Sequence, residues 1–183
     1  IIDGGSNDGT LGIIDKYRDH IEFFISEPDS GIYDAWNKGI NNFQSDWYCF
    51  IGSDDFWIKN DSISNIMKLS LAMPCNIIAS KFIPLKGGTP EKILPLGSPL
   101  LVNSLRFGMK TPHPGMMHHH SLFLNFGSFN ENYLIAGDFE FLVRSRKSIK
   151  SAFCDFPTIY LGQNGVSNTR HALVRRETAA IIK

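Results

Sequence analysis

With 183 residues, 43% of them hydrophobic and 20% charged, the chain is long and apolar enough for one domain with a sizeable core, which excludes wholesale disorder. Eighteen basic residues balance eighteen acidic ones, so no net field draws it to nucleic acid or anionic lipid. Cys49, Cys75 and Cys154 are odd in number and far apart. They give neither a disulfide framework nor a metal pattern and fit a reducing cytoplasm, while no apolar stretch reaches membrane-spanning length.

The chain opens without Met on Ile1-Ile2, a strand end running into Asp3. That start predicts a domain incomplete at its N-terminus. Thr10 to Tyr17 reads as a short helix, with Leu11, Ile14 and Tyr17 at three-residue spacing. Ile21 to Ser26 reads as a buried strand and Glu27 to Gly31 as a turn. The next helix places Ile32, Trp36, Ile40 and Phe43 on one face, with Asp34 and Lys38 paired at i,i+4 and Ser30 or Asp29 as its cap. Trp47 to Ile51 is a strand, Gly52 to Trp57 a turn, Asp61 to Leu71 a helix, and Asn76 to Phe82 a strand. Lys86 to Pro99, rich in Gly and Pro, is a loop or short hairpin, and the pattern stays weak until Ser121. Gly137 to Ser145 is a helix, Ala152 to Leu161 a strand, and Asn168 to Lys183 a closing helix. There, Arg170, Arg175 and Arg176 read as a solvated face. Strands alternating with helices in the first half argue for a mostly parallel α/β sheet. No repeat or linker divides the chain, so residues 1–183 are expected to form a single domain.

Three acidic turns carry the candidate chemistry: Asp3-Gly4-Gly5-Ser6, Glu27-Pro28-Asp29-Ser30-Gly31, and Gly52-Ser53-Asp54-Asp55. Asp3 and the Asp54–Asp55 pair each follow an apolar strand. In an open α/β sheet, loops at the strands' carboxyl ends line the ligand crevice. Carboxylates gathered there hold a hard cation, a nucleotide's polar groups, or both. The bland alternative is tight turns and helix entries. Asp3-Gly4-Gly5-Ser6 lacks the Lys of a phosphate-binding P-loop and the spacing of a dinucleotide fingerprint. Its glycines would let backbone approach a ligand. His118-His119-His120 is conspicuous, but strand neighbours alternate faces, so only His118 and His120 could converge. No Asp, Glu or Cys lies near in sequence to complete a site.

These turns, in this order, together with Ile32 to Gly39, Pro112-His113-Pro114, Gly127 to Glu131, Ala136-Gly137-Asp138-Phe139-Glu140 through Arg144, Gly165 to Ser167 and Glu177, resemble the family 2 glycosyltransferases. The subgroup they resemble builds bacterial surface polysaccharides. The resemblance covers almost the whole chain. It implies a GT-A fold, a nucleotide-diphospho-sugar donor such as a UDP- or GDP-sugar, and inversion at the anomeric carbon. A divalent cation (Mn²⁺ or Mg²⁺) and a saccharide or lipid-linked acceptor are also implied. Asp3 would bind the nucleobase, with Gly4 beside it. Asp54 would meet the ribose or diphosphate, and Asp55 the metal. Asp138 would be the general base, although a carboxylate at a helix start is also explained by the macrodipole. Asp29 would touch the donor and cap the helix. Asn37 and Lys38 would position the diphosphate, unless Lys38 simply pairs with Asp34. His113 would reach the acceptor or the diphosphate, and His171 is a weaker phosphate contact.

The acceptor is expected within Lys86 to His120, where Leu100, Leu101, Leu105 and Phe107 allow either core packing or peripheral membrane association. The resemblance also implies a further N-terminal strand and helix, so the chain alone is expected to be poorly stable or inactive. Two other readings stay open. A nucleotidyltransferase would want a basic Gly-rich loop, and none is visible. A non-catalytic nucleotide-sugar-binding module is disfavoured by the presence of both Asp55 and Asp138.

Overall fold

The computed structural model describes residues 1–109, 111–163 and 165–183. β1 (Ile2–Asp3) is followed by α1 (Thr10–Lys16) and β2 (Ile25–Ser26), which returns parallel to β1 with Asp3 opposite Ser26. α2 (Ile32–Asn42) begins at Gly31, whose φ of 138° suits glycine, and neither predicted residue caps it by bonding its first turn. Instead Asp34 reaches back, accepting the Ser30 N–H at 2.8 Å. The buried face of α2 is also turned from the one expected. Tyr33 and Asn37 are buried, Trp36 and Ile40 pack against the core, and Ile32 and Phe43 are 46% and 40% exposed. Tyr33 and Asn37 lie one turn apart, and both polar ends find partners in loops far along the chain. Leaving such buried polar groups unpaired would cost about 1–3 kcal/mol each.

Next come β3 (Trp47–Cys49), β4 (Phe56–Trp57), α3 (Ser62–Ala72), β5 (Ile77–Lys86) and β6 (Thr89–Pro90). A single 3-10 helix covers Val102–Phe107, and then β7 (Met117–His119), α4 (His120–Phe126) and α5 (Gly137–Ser145) follow. β8 (Ser151–Leu161), α6 (Val166–Thr169) and α7 (His171–Ile182) complete the described elements. The main sheet runs β3-β7-β5-β8-β4, with β6 a short hairpin partner of β5. It is mixed, where a mostly parallel sheet was expected. β5 and β8 are parallel, but β3–β7, β7–β5 and β8–β4 are antiparallel. A parallel neighbour needs a crossover of a dozen or more residues, usually helical. The irregular stretch before β7 offers no such helix, and β4 is only two residues long.

The sheet carries a core on each face. Along β5, Ile77 and Ala79 join a cluster with Tyr33 of α2, Phe123 of α4 and Phe139, Phe141 and Leu142 of α5. Ile78 points the other way, into a cluster with Ile66 of α3, Met117, Ala152 and Cys154. Successive strand residues alternate faces, so a strand buried on both sides reads as a continuous apolar run. Three layers result: α2, α4 and α5 on one face, the sheet, and α3 on the other. Among the described residues, β1–β2 forms a sheet of its own, tied to the rest through α2, where the Ile2 side chain lies 3.7 Å from the place a Cβ on Gly39 would take.

Candidate active site

The predicted residues gather in three groups. In the first, Asp3 closes the loop between β1 and β2. Its carboxylate accepts from the hydroxyls of Ser26 at 2.6 Å and Ser6 at 2.5 Å and from the N–H groups of Ser6 at 2.9 Å and Gly5 at 3.1 Å. These donors, Ser26 foremost, pull its carboxyl down to about 2. Gly4 stands against Asp29: a Cβ there would lie 2.6 Å from the Asp29 carboxylate, so only glycine fits without a shift. Asp29 itself accepts from the Gly31 N–H at 3.0 Å. Lys38 reaches the same loop, 3.0 Å from Glu27 and 3.5 Å from Asp34, and donates to the Pro28 carbonyl at 3.1 Å. Lys38 therefore pairs with more than Asp34, and its ammonium ties the acidic loop to α2.

In the second group, the Gly52 to Asp55 turn meets the end of β8. β4 pairs Phe56 with Tyr160 and Trp57 with Ile159, which carries the turn to Gly162. Asp55 accepts the Gly52 N–H at 2.7 Å and the Gly162 N–H at 2.9 Å. Burial raises its carboxyl, and the neighbouring Asp54 charge adds to this. Both carboxylates crowd the bare face of Gly52, each with an oxygen 3.2 Å from where a Cβ would stand. At Gly162 a Cβ would fall 2.0 Å from Asp54 Oδ2, an impossible approach. Among the described residues the Asp54 carboxylate has no hydrogen-bond or ion-pair partner. It faces a cleft of about 250 Å³ bounded by Lys86, Gly87 and Gly88 of the β5–β6 hairpin and by Gly162 and Gln163.

The third group surrounds Asp138, at the second position of α5. Its Oδ1 accepts from the Phe139 N–H at 2.8 Å and lies 3.1 Å from the Tyr33 hydroxyl, which also contacts the Ile135 carbonyl at 2.5 Å. Burial is the main influence on Asp138 and pushes its carboxyl up to about 6, against the lowering hydrogen bonds. Gly137 is needed here, since a Cβ would come within 2.8 Å of the Tyr33 ring. α2 thus touches two groups, through Tyr33 at Asp138 and through Lys38 at the acidic loop. Among the described residues no hydrogen bond or ion pair links the Asp54–Asp55 turn to either.

A model of the family described as Glycosyl transferase family 2 matches residues 1–132, which hold the first group and the Gly52 to Asp55 turn of the second. The chain belongs to glycosyl transferase family 2. Among the relatives of this family 2 chain, the PGL/p-HBAD biosynthesis glycosyltransferase of Mycobacterium tuberculosis is 25% identical over 148 residues, 79% of this chain and 56% of that protein. An uncharacterized glycosyltransferase, Rv1514c, of the same species is 26% identical over 171 residues, 90% of this chain and 64% of its own length. The family 2 chain therefore spans 56–64% of the length of these relatives. Among solved structures, residues 1–349 of Staphylococcus aureus TarS in complex with UDP-GlcNAc superpose with a TM-score of 0.72 at 15% identity, covering 98% of this chain and 56% of that one. The mannosyltransferase PcManGT from Pyrobaculum calidifontis, in complex with GDP-Man and Mn²⁺, gives 0.66 at 13% identity, covering 99% and 52%. The fold is GT-A.

Two family positions sit differently from expectation. His113 is 2% exposed, stacked on Trp36 at 4.9 Å and packed beside His118 at 4.7 Å. Enclosed in the core, its ring presents almost no surface to an acceptor or a diphosphate. Burial holds its ring neutral, down to about 3. Asn37 is buried too. Its amide donates to the Phe129 carbonyl at 2.9 Å and to Glu131 at 2.8 Å and accepts from the Phe129 N–H at 2.9 Å. With both donors used, it fastens the Phe129–Glu131 loop to α2 and has none left for a diphosphate. The triple histidine does not converge as alternation suggested either. α4 starts at His120, so His118 packs with His113 in the core and His119 with His120 at 4.5 Å outside it. His171 opens α7 on an exposed surface.

Among the described residues no three His, Cys, Asp or Glu side chains converge as a cation site. The Asp54–Asp55 pair suits a cation that completes its shell with substrate oxygens and water, because two like charges crowd one glycine face and Asp54 has no partner among the described residues. Neither Tyr33 nor Gly162 carries a role legible in the sequence alone. A glycine just past a strand signals a close approach, and that was the available clue for Gly162. Tyr33 looked like any apolar helix residue. Among the described residues no helix is long and apolar enough to cross a membrane.

Proposed function

We propose that this domain transfers a sugar from a nucleotide-diphosphate donor to a hydroxyl of a saccharide or lipid-linked acceptor, with inversion, in polysaccharide assembly. The observation that carries this reading is Asp138: a carboxylate at a helix start, raised by burial to about 6, in a chain of this family. A general base works best with a pKa near the operating pH. Asp138 takes the acceptor hydroxyl's proton as that oxygen attacks the sugar's anomeric carbon, and the nucleoside diphosphate departs from the opposite face. Asp3, Gly4 and Asp29 hold the base and ribose end of the donor, and Lys38 stiffens their loop. Asp54 and Asp55 would hold a divalent cation, Mn²⁺ or Mg²⁺, whose charge balances the departing diphosphate. The UDP-GlcNAc, GDP-Man and Mn²⁺ bound by the two neighbours above support these donor and cation classes.

The test is calorimetric titration of UDP and GDP with and without Mn²⁺, joined to a transfer assay. Asp54→Asn is expected to remove the Mn²⁺-dependent part of binding while leaving the turn intact. Asp138→Asn is expected to keep binding and lower turnover by about 10²–10⁴-fold, the usual contribution of a general base. Turnover within a few-fold of the parent in Asp138→Asn would remove it from the base role.

A further inference from the structure

We propose that Glu177 is a positioning residue for Asp138, its carboxylate gripping the backbone just ahead of α5 and thereby fixing where the base points. This rests on the transferase reading above. Glu177 comes from α7, is 7% exposed, and accepts three hydrogen bonds. They come from the N–H groups of Leu134 and Ile135 at 3.0 Å each and of Ala136 at 2.9 Å. These N–H groups lead into a helix start, where backbone donors have no intrahelical partner. Tyr33 holds the same loop from the other side through the Ile135 carbonyl, and the bare Gly137 leaves room for its ring. Backbone groups of three consecutive residues are thus anchored by two side chains, one turn of chain before Asp138.

The chemistry of the grip calls for a carboxylate. Oε1 takes one N–H and Oε2 takes two, whereas a glutamine has one acceptor oxygen and would turn an NH₂ toward a donor. Among the described residues no Lys, Arg or His forms an ion pair with Glu177, so its negative charge is balanced by backbone dipoles alone. A buried carboxylate left without a cation is costly unless its hydrogen bonds are good. The groups that face Asp138 from the packed elements are Tyr33 of α2 and Glu177 of α7. Burial is the main influence raising the Asp138 carboxyl, and the Glu177 charge adds to it in the same direction. The position of the base passes through this residue, and its proton affinity does so in part.

Glu177→Gln tests the inference in the full chain. In a transfer assay the expected result is a 10- to 100-fold fall in kcat, a donor KM within twofold of the parent, and an acid limb of the pH profile moved to lower pH. Combining it with Asp138→Asn adds no further loss. A ¹³C NMR titration of the Asp138 carboxyl, which needs no activity, shows the same downward move. If Glu177→Gln folds and neither kcat nor the acid limb changes, the inference is overturned. A variant that loses thermal stability while its Asp138 titration stays put also overturns it, because the role is then structural only. Should Glu177→Gln fail to fold, through-hydrogen-bond couplings from the Leu134, Ile135 and Ala136 amides to the Glu177 carboxylate are measured in the parent, and their absence overturns the grip. A parent without transfer whose Asp138 titration still responds to Glu177→Gln keeps the positioning and discards the transferase reading.

Discussion

Asp138 holds its charge at a cost to the fold. Its carboxyl is raised above the ordinary value of 3.8 to about 6, so the native state binds the proton more readily than the unfolded chain. The contribution of this one residue is therefore most favourable below pH 4, declines as pH rises, and its penalty is complete above pH 6. Asp138→Asn is expected to stabilise the protein by about 1–3 kcal/mol at pH 8, reduced by a few tenths for the lost macrodipole interaction, with little gain at pH 4. Urea unfolding at the two pH values measures the difference. His113 and His118 act in the opposite sense. Burial holds both well below 6.5, His113 to about 3, and neither His113 nitrogen has a hydrogen-bond partner among the described residues. Above pH 6.5 they contribute nothing. Below it the unfolded chain takes up protons that the native state refuses, and each ring removes about 1.4 kcal/mol per pH unit until its native pKa is reached. His113→Phe keeps the stack on Trp36 and should flatten that acid loss by about half without changing donor affinity. A slope unchanged between pH 6 and 4 would count against the buried-ring account.

At the scale of elements, short strands and bare glycines bring the carboxylates to their partners. β4 is two residues long, yet its pairing with β8 delivers Asp54 and Asp55 to Gly162. Gly162→Ala is expected to destabilise by roughly 1–3 kcal/mol, the range for forcing atoms into a packed site, and to abolish Mn²⁺-dependent binding. Thermal unfolding and calorimetry check both, and normal binding would show that the turn tolerates displacement of Asp54. α2 reaches two distant loops through Tyr33 and Asn37. Its 3.6-residue period was legible from Trp36 and Ile40. Its true buried face was not, because Tyr33 and Asn37 are turned inward by partners about 100 residues further along the chain.

Across the whole molecule, the two sheets differ in how firmly they are held. β1 and β2 share two residue pairs, whereas β5 and β8 share eight and lie between helical layers. Opening free energies follow buried contacts and hydrogen bonding. Hydrogen exchange should therefore be fastest at Ile25 to Glu27 and slowest at Ile77 to Ser80, with protection differing by at least about 10³-fold, equivalent to about 4 kcal/mol. Uniform protection across both sheets would show that the Asp3 loop is as rigid as the core. On the proposed reading, an Asp3–Asp29 loop freer than the core would close on donor while the Asp138 helix stays fixed.

Most helices and strands and the acidic turns of the candidate site were legible in the chain because apolar periodicity and turn chemistry are written within short windows. The family and the GT-A fold were legible through the resemblance carried by the order of motifs along the chain. Tertiary packing settled how much of each carboxylate the protein itself uses. Asp3 accepts four hydrogen bonds and Asp55 two, while among the described residues Asp54 accepts none. It decided that His113 and Asn37 belong to the interior, that β7 and β4 join the sheet antiparallel, and that Glu177 grips the loop before Asp138. Each of these depends on contacts between residues distant in sequence, where burial and hydrogen-bond partners are set by packing and leave no periodic trace in the chain.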